Sequence, residues 1–319
     1  MPISRLCCGH RNGKFPRRKR TMRISQRLGS ELLFRCAVLS LVLWFSTALP
    51  TASTPQDVEL LTLHSQVFSN TRTIRVWLPP GYRQPASARR RYPVFYFTDG
   101  IAAFHGRHLA SVAAELILSG EIPPCIFVGI DNGGSTRESK NPAVDRANEY
   151  LPFPDEFLDP PLPNPQGKLF PEFFQKEVRP LVESRYRTNG EVGLAGASYG
   201  AAITLYAAMK NPEAYRWLLL ESPSLYISHD ALLHLSEKQQ QWPARLYVGA
   251  GTDEGEGSAK KEMVDDIKRL IAAAKGHTTV CSVIVPGAQH DEDAWRSRLP
   301  NALRFLLGNH SCPTTAKFQ

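Results

Sequence analysis

The sequence predicts an α/β domain built on a mostly parallel sheet with helices on both faces, and three observations carry this. Short apolar runs rich in Val, Ile, Leu and Phe recur along the chain. They alternate with segments whose apolar residues return at helical spacing, the sequence pattern of βαβ units. Several runs are apolar throughout, as strands covered on both faces are.

Taken in order, Val58–Phe68 and Thr71–Pro79 alternate and end in turn signals, so they read as an opening pair of strands. Arg91–Asp99 is a buried strand bounded by Pro and Gly. A helical stretch, His108–Leu118, leads to a second buried strand, Cys125–Asp131. Residues 132–168 carry Pro142, Pro152, Pro154, Pro160, Pro161, Pro163 and Pro165 and few periodic apolar positions, so a long loop is expected there. Helical spacing returns over Leu169–Tyr186. Then follow strand Val192–Ala197, helix Tyr199–Met209, strand Trp217–Glu221, strand Arg245–Ala250 with helix Ala259–Ala274, and strand Val280–Val285 with helix Glu292–Leu307. No internal repeat is visible.

With 319 residues, 42% hydrophobic and 21% charged, the chain is globular rather than disordered. The formal charge of +8 is unevenly placed. Residues 1–53 hold ten Lys+Arg and one Asp+Glu, a net of +9, whereas residues 54–319 hold 28 and 29, a net of −1. A nucleic-acid-binding domain carries its positive charge on the folded surface, so that class is excluded.

The basic stretch Arg5–Arg27, the apolar run Cys36–Leu49 and the small residues Ala48, Thr51, Ala52 and Ser53 follow the order of a secretory signal peptide. The run is about 14 residues, short of the roughly 20 that span a bilayer. Residues 1–53 are therefore expected to be a signal peptide cleaved after Ala48 or Ser53, with Met22 an alternative start. Residues 54–310 are expected to form one domain and 311–319 a tail. The expected location is secreted or periplasmic, with membrane contact only during export. Cys125, Cys281 and Cys312 would remain. The first two lie in strand-like runs and read as buried small hydrophobes, and a bridge involving Cys312 stays open.

The chemistry centres on Gly196-Ala197-Ser198-Tyr199-Gly200, where a strand gives way to a helix. GxSxG at such a junction is the nucleophile-elbow arrangement: the turn is too tight for side chains at either flank, and the serine is lifted above the sheet. The plainer reading is a βα turn with Ser198 as helix cap. A serine hydroxyl needs a base, and the base follows the nucleophile in this arrangement. His290 lies between the last strand and the last helix, where α/β sites form; His229, His234 and His310 do not. The preceding strand end, Gly251-Thr252-Asp253-Glu254-Gly255, offers two carboxylates to orient the imidazole, and spacing does not choose between Asp253 and Glu254. Its glycines miss the GxGxxG spacing of a dinucleotide loop. The amides of Tyr199 and, after Asp99-Gly100, of Ile101 are the oxyanion-hole candidates. His105 and His108 form an H-x-x-H pair without a recognisable third ligand, so no metal is expected.

The segments YPVFYFTDG, IPPCIFVGIDNGG, FFQKEVRPLVESRYR, GLAGASYGAAITLYAAMKNPEAY, ESPSLY, VGAGTDEG and HDEDAWRSRLPNALRFL span most of residues 75–307. Together they resemble the esterase family of α/β-hydrolases that includes enterobactin, feruloyl and acetyl-xylan esterases, S-formylglutathione hydrolase and mycolyltransferases. The resemblance implies the α/β-hydrolase fold, with Ser198 as nucleophile and His290 as general base. It places the family's acid on Glu254. The family's Arg-x-x-Glu-Tyr segment falls on Arg146, Glu149 and Tyr150, implying a substrate-binding wall or lid in a lengthened loop. Tyr199 and Ala201 depart from the usual GxSxGG with Met after the serine.

The expected function is a serine carboxylic-ester hydrolase working through a Ser-His-acid triad and an acyl-enzyme, without cofactor or metal. Its expected substrate is a small-molecule or glycan-linked ester. The alternatives are an acyltransferase with the same triad, mycolyltransferase-like, and a non-catalytic binding module.

Overall fold

The computed structural model describes residues 58–313 apart from 157, 256, 258 and 309. The expected signal peptide and its cleavage sites lie outside these residues. Among the described residues no helix is long and apolar enough to cross a membrane.

The chain opens with β1 (Glu59–Ser65) and β2 (Asn70–Trp77), paired antiparallel, and continues through β3 (Tyr92–Thr98), α1 (Leu109–Leu118), β4 (Ile126–Ile130) and α2 (Pro142–Tyr150). Two short helices, α3 (Phe170–Phe173) and α4 (Arg179–Glu183), precede β5 (Thr188–Ala197) and α5 (Tyr199–Lys210). Then come β6 (Trp217–Glu221), α6 (Ile227–Glu237), β7 (Arg245–Gly251), α7 (Ala259–Ala274), β8 (Thr279–Val285) and α8 (Glu292–Leu307). The eight strands form one sheet in the order β1-β2-β4-β3-β5-β6-β7-β8. The β2–β4 pairing is also antiparallel, and every pairing from β4 through β8 is parallel.

Successive side chains of a strand point to opposite faces, and β3 shows the result. Val94 and Tyr96 enter one core with β5, β6 and α5, while Phe95 and Phe97 enter the other with α1 and α8. All seven residues of β3 but Pro93 are buried. Two cores on two faces explain why these strands read as unbroken apolar runs. Helix α5 is buried from Gly200 through Met209, and it is accordingly apolar all round.

One segment departs from the sequence expectation, and another carries an irregularity. The proline-dense stretch 132–168 contains the nine-residue helix α2: the Asn141 side chain caps the N–H of Val144, and Pro142 fills the first turn, where no amide partner is needed. The expected helical stretch Leu169–Tyr186 is one continuous helical run from Phe170 to Glu183 with a change of winding inside it. Between α3 and α4 the chain takes a π-helical turn, Phe174–Val178, just before Pro180, whose missing N–H cannot bond back to the previous turn.

Cys281, buried in β8 as expected, is also bonded to Cys312, which ties the tail to the edge strand. Cys125 is free and buried. Closing a loop with a sequence separation of 31 restrains the unfolded chain, so Cys312→Ser is expected to cost about 3 kcal/mol. The check is the urea midpoint without reductant; wild type in reductant should fall to the same value.

Candidate active site

The loops after all six mutually parallel strands, β3 through β8, supply the site, at the carboxyl edge where open α/β sheets bind ligands. Ser198 stands between β5 and α5 at φ 58° and ψ −126°, a conformation L-residues rarely adopt. The flanking glycines make it attainable. A Cβ on Gly196 would lie 2.1 Å from the Gly200 carbonyl oxygen, and one on Gly200 would lie 2.5 Å from Thr98 Oγ1. The Ser198 N–H donates to the Glu221 carbonyl (3.0 Å), and its hydroxyl lies 3.5 Å from that of Ser224. At the first position of α5, the Tyr199 amide belongs to the turn whose N–H groups lack intrahelical acceptors.

Ser198 and His290 line one cavity of about 440 Å³, together with Ile101, Asn132, Arg146 and Trp295. His290 sits in the β8–α8 loop, just before Asp291, whose side chain caps α8 by accepting from the Ala294 N–H (2.8 Å). The structure brings Glu254, not Asp253, to the imidazole: Glu254 Oε2 lies 3.3 Å from His290 Nδ1. The other carboxylate oxygen accepts from Ser222 Oγ (2.6 Å) and the Gly251 N–H (2.5 Å). The Asp253 N–H donates to the Ala288 carbonyl (3.0 Å). With Nδ1 on Glu254, Nε2 is the nitrogen left to take a proton from a hydroxyl.

Beneath Glu254 lies a buried ion pair. Arg298 Nε is 2.8 Å from Glu221 Oε2, and Arg298 Nη2 is 3.9 Å from Glu254 Oε1. Burial pushes the Glu221 carboxyl above the ordinary carboxylate range, with Arg298 pulling the other way.

The other wall hangs on Asp99. Its carboxylate accepts from Arg146 at 2.7 and 2.8 Å and from Asn132 Nδ2 at 2.6 Å, and its N–H donates to the Tyr150 hydroxyl (3.0 Å). Arg146 reaches the cavity and also lies 5.5 Å from the Tyr199 ring centroid. Burial pushes the Tyr199 phenol up to about 12.

Glu149 and Tyr150, expected to bind substrate, do not face this cavity. Tyr150 is fully buried, and Glu149 is ion-paired at 2.6 Å with Arg72, equally inaccessible. The helix that carries them presents Arg146 to the site and turns Glu149 and Tyr150 inward, where they hold the wall. Ile101 lines this cavity, and its amide is among the polar surroundings of the Asp131 carboxylate, which is paired with Arg75 (2.8 Å). His105 and His108 are exposed, and among the described residues no group of three potential metal ligands occurs.

On its far side the His290 imidazole borders a second, larger cavity of about 650 Å³, which Tyr226 and the α7 carboxylates Glu262, Asp265 and Asp266 also line. Ser222, Trp295, Asn132 and Arg298 all support the site, and the sequence did not single them out. Trp295, five residues past His290 near the start of α8, carried the one local signal.

A serine on a strained strand-to-helix elbow, above a mostly parallel sheet with helices on both faces, defines an α/β-hydrolase. Residues 65–306 match the family model described as "Putative esterase". The chain belongs to this esterase family, and it is an esterase. It is 24% identical over 261 residues to the uncharacterized protein YbbA of Bacillus subtilis, covering 77% of this chain and 96% of that one. Among solved structures, an IroE-like serine hydrolase from Shewanella oneidensis superposes with a TM-score of 0.65 at 23% identity, over 79% of this chain and 80% of that one. The enterobactin esterase FES of Shigella flexneri gives 0.63 at 20% identity, over 80% of this chain and 60% of that one. These likenesses show a shared fold.

Proposed function

We propose that the protein is a serine carboxylesterase working through an acyl-enzyme. The observation that carries this reading is the convergence of Ser198, in its strained elbow, with the Glu254-bound imidazole of His290 on one cavity. His290 Nε2 takes the Ser198 proton as Oγ attacks the ester carbonyl carbon. The oxyanion forms against the Tyr199 amide and the Ile101 amide. The imidazolium, stabilised by Glu254, gives its proton to the leaving alcohol. Water activated by the same imidazole then releases the acid and frees Ser198.

The substrate we infer is a small-molecule or glycan-linked ester, in keeping with cavities of about 440 and 650 Å³. We infer a secreted or periplasmic location, which the Cys281–Cys312 bridge supports because disulfides persist in oxidising compartments.

A fluorophosphonate probe tests the reading. Folded protein that hydrolyses p-nitrophenyl acetate and carries the label on the Ser198 peptide supports it; folded protein that leaves Ser198 unlabelled overturns it. Glu254→Gln keeps the shape but removes the charge that stabilises the imidazolium, and kcat is expected to drop about 10³-fold. Asp253→Asn should change kcat far less, and steady-state kinetics of the two variants side by side checks which carboxylate acts.

A further inference from the structure

We propose that Ser222, itself aimed by Trp295, is a positioning residue that fixes the rotation of the Glu254 carboxylate so that one oxygen is reserved for His290. The proposal rests on the Ser198–His290–Glu254 reading and adds two residues to it.

Ser222 directly follows the last residue of β6, is 1% exposed and is held at φ 45°. A non-glycine residue at such an angle is held there by its surroundings, and its N–H is anchored to the Gly249 carbonyl on β7 (2.7 Å). Its hydroxyl has two partners. Trp295 Nε1 donates to it at 2.9 Å, and it donates to Glu254 Oε1 at 2.6 Å.

An indole nitrogen can only donate, whereas a hydroxyl offers one proton and two lone pairs. With the indole N–H occupying a lone pair, the Ser222 proton is directed at the carboxylate. Oε1 is thereby held by Ser222 and the Gly251 amide, and Oε2 meets His290 Nδ1 at 3.3 Å. The ring closes on itself: Trp295 stands edge-on to the His290 imidazole, centroids 5.1 Å apart and planes at 84°. Four residues from three segments of the chain thus form one cycle that includes the catalytic base.

A force opposes this arrangement. The buried Arg298 guanidinium lies 3.9 Å from Glu254 Oε1, on the side away from His290, where it also binds Glu221. Without the Ser222 donor, the Gly251 amide alone holds Oε1 against the pull of that charge, and the alignment of Oε2 with the imidazole loosens. A hydroxyl that merely satisfied its own burial would have no such consequence.

The experiment compares Ser222→Ala, Trp295→Phe and the double variant with wild type. It uses p-nitrophenyl acetate kinetics and the low-field proton resonance of a carboxylate-bound His Nδ1–H. Ser222→Ala is expected to lower kcat about 10- to 100-fold with KM unchanged, the range seen when an orienting partner is lost, and to weaken or abolish the resonance. Trp295→Phe keeps an aromatic ring but removes the N–H, so it should lower kcat in the same direction, and the double variant should be no worse than Ser222→Ala alone. If Ser222→Ala fails to fold, Trp295→Phe carries the test by the same two readouts. Folded variants with wild-type kcat and an undiminished resonance overturn the proposal while Ser198 labelling leaves the esterase reading standing. Loss of Ser198 labelling in the wild type would remove both.

Discussion

Ser198→Ala is expected to lower kcat for p-nitrophenyl acetate by about 10⁴-fold or more, with little change in stability. The chemical half follows from the role: without Oγ no acyl-enzyme forms, and only binding and oxyanion stabilisation remain. The stability half follows from the local structure. The Ser198 hydroxyl makes one long contact, 3.5 Å to Ser224, and alanine at φ 58° is no more strained than serine. Ser198→Gly should remove that strain as well as the activity, and so melt above wild type, because glycine occupies positive φ without penalty. Thermal melts and steady-state kinetics on the same preparations check both halves. A Ser198→Ala enzyme with undiminished turnover would end the assignment.

Gly196→Ala should have the largest effect on folding. One methyl group there would meet the Gly200 carbonyl oxygen at 2.1 Å, its carbon at 2.3 Å and Thr98 Oγ1 at 2.6 Å. The first two are backbone atoms at the start of α5, a helix packed on all sides, so they cannot give way as the end of a flexible side chain would. Relief requires α5 to move off the sheet. The expected loss is at least about 4 kcal/mol, in the range reserved for gross packing faults, and expression as insoluble protein is the extreme outcome. Denaturant unfolding of any soluble fraction measures it. Wild-type stability in this variant would contradict the close approach of β5 and α5.

What could be read from the sequence divides by the range of the physical cause. The central strands were readable because burial on both faces leaves an apolar run, as in Tyr92–Thr98, where even the tyrosines lie inside. The elbow was readable because its requirement is local: two glycines, one serine and a junction. Helix α2 was missed although Asn141-Pro142 is a start signal, because the seven prolines of residues 132–168 dominate that stretch. The choice between Asp253 and Glu254 depends on which side chain turns toward a loop 36 residues away, and no spacing encodes that. Burial of Glu149 and Tyr150 has the same origin: their partners, Arg72 on β2 and Asp99 just after β3, lie 77 and 51 residues away in the chain. Ser222, Trp295 and Arg298 also act only through contacts across the sheet's edge.

The Asp99 carboxylate receives Asn132 at one end of a chain excursion and Arg146 at the other. Residues 133–145 are therefore a cassette clipped shut at a single acidic latch, with both clasps at its own termini. Exchanging residues 135–140, which stop short of the Asn141 cap of α2, for a segment of another length or composition would redraw the doorway to Ser198. Removing the latch itself would release the Asn132 and Arg146 side chains together, while the Arg72–Glu149 pair still holds α2.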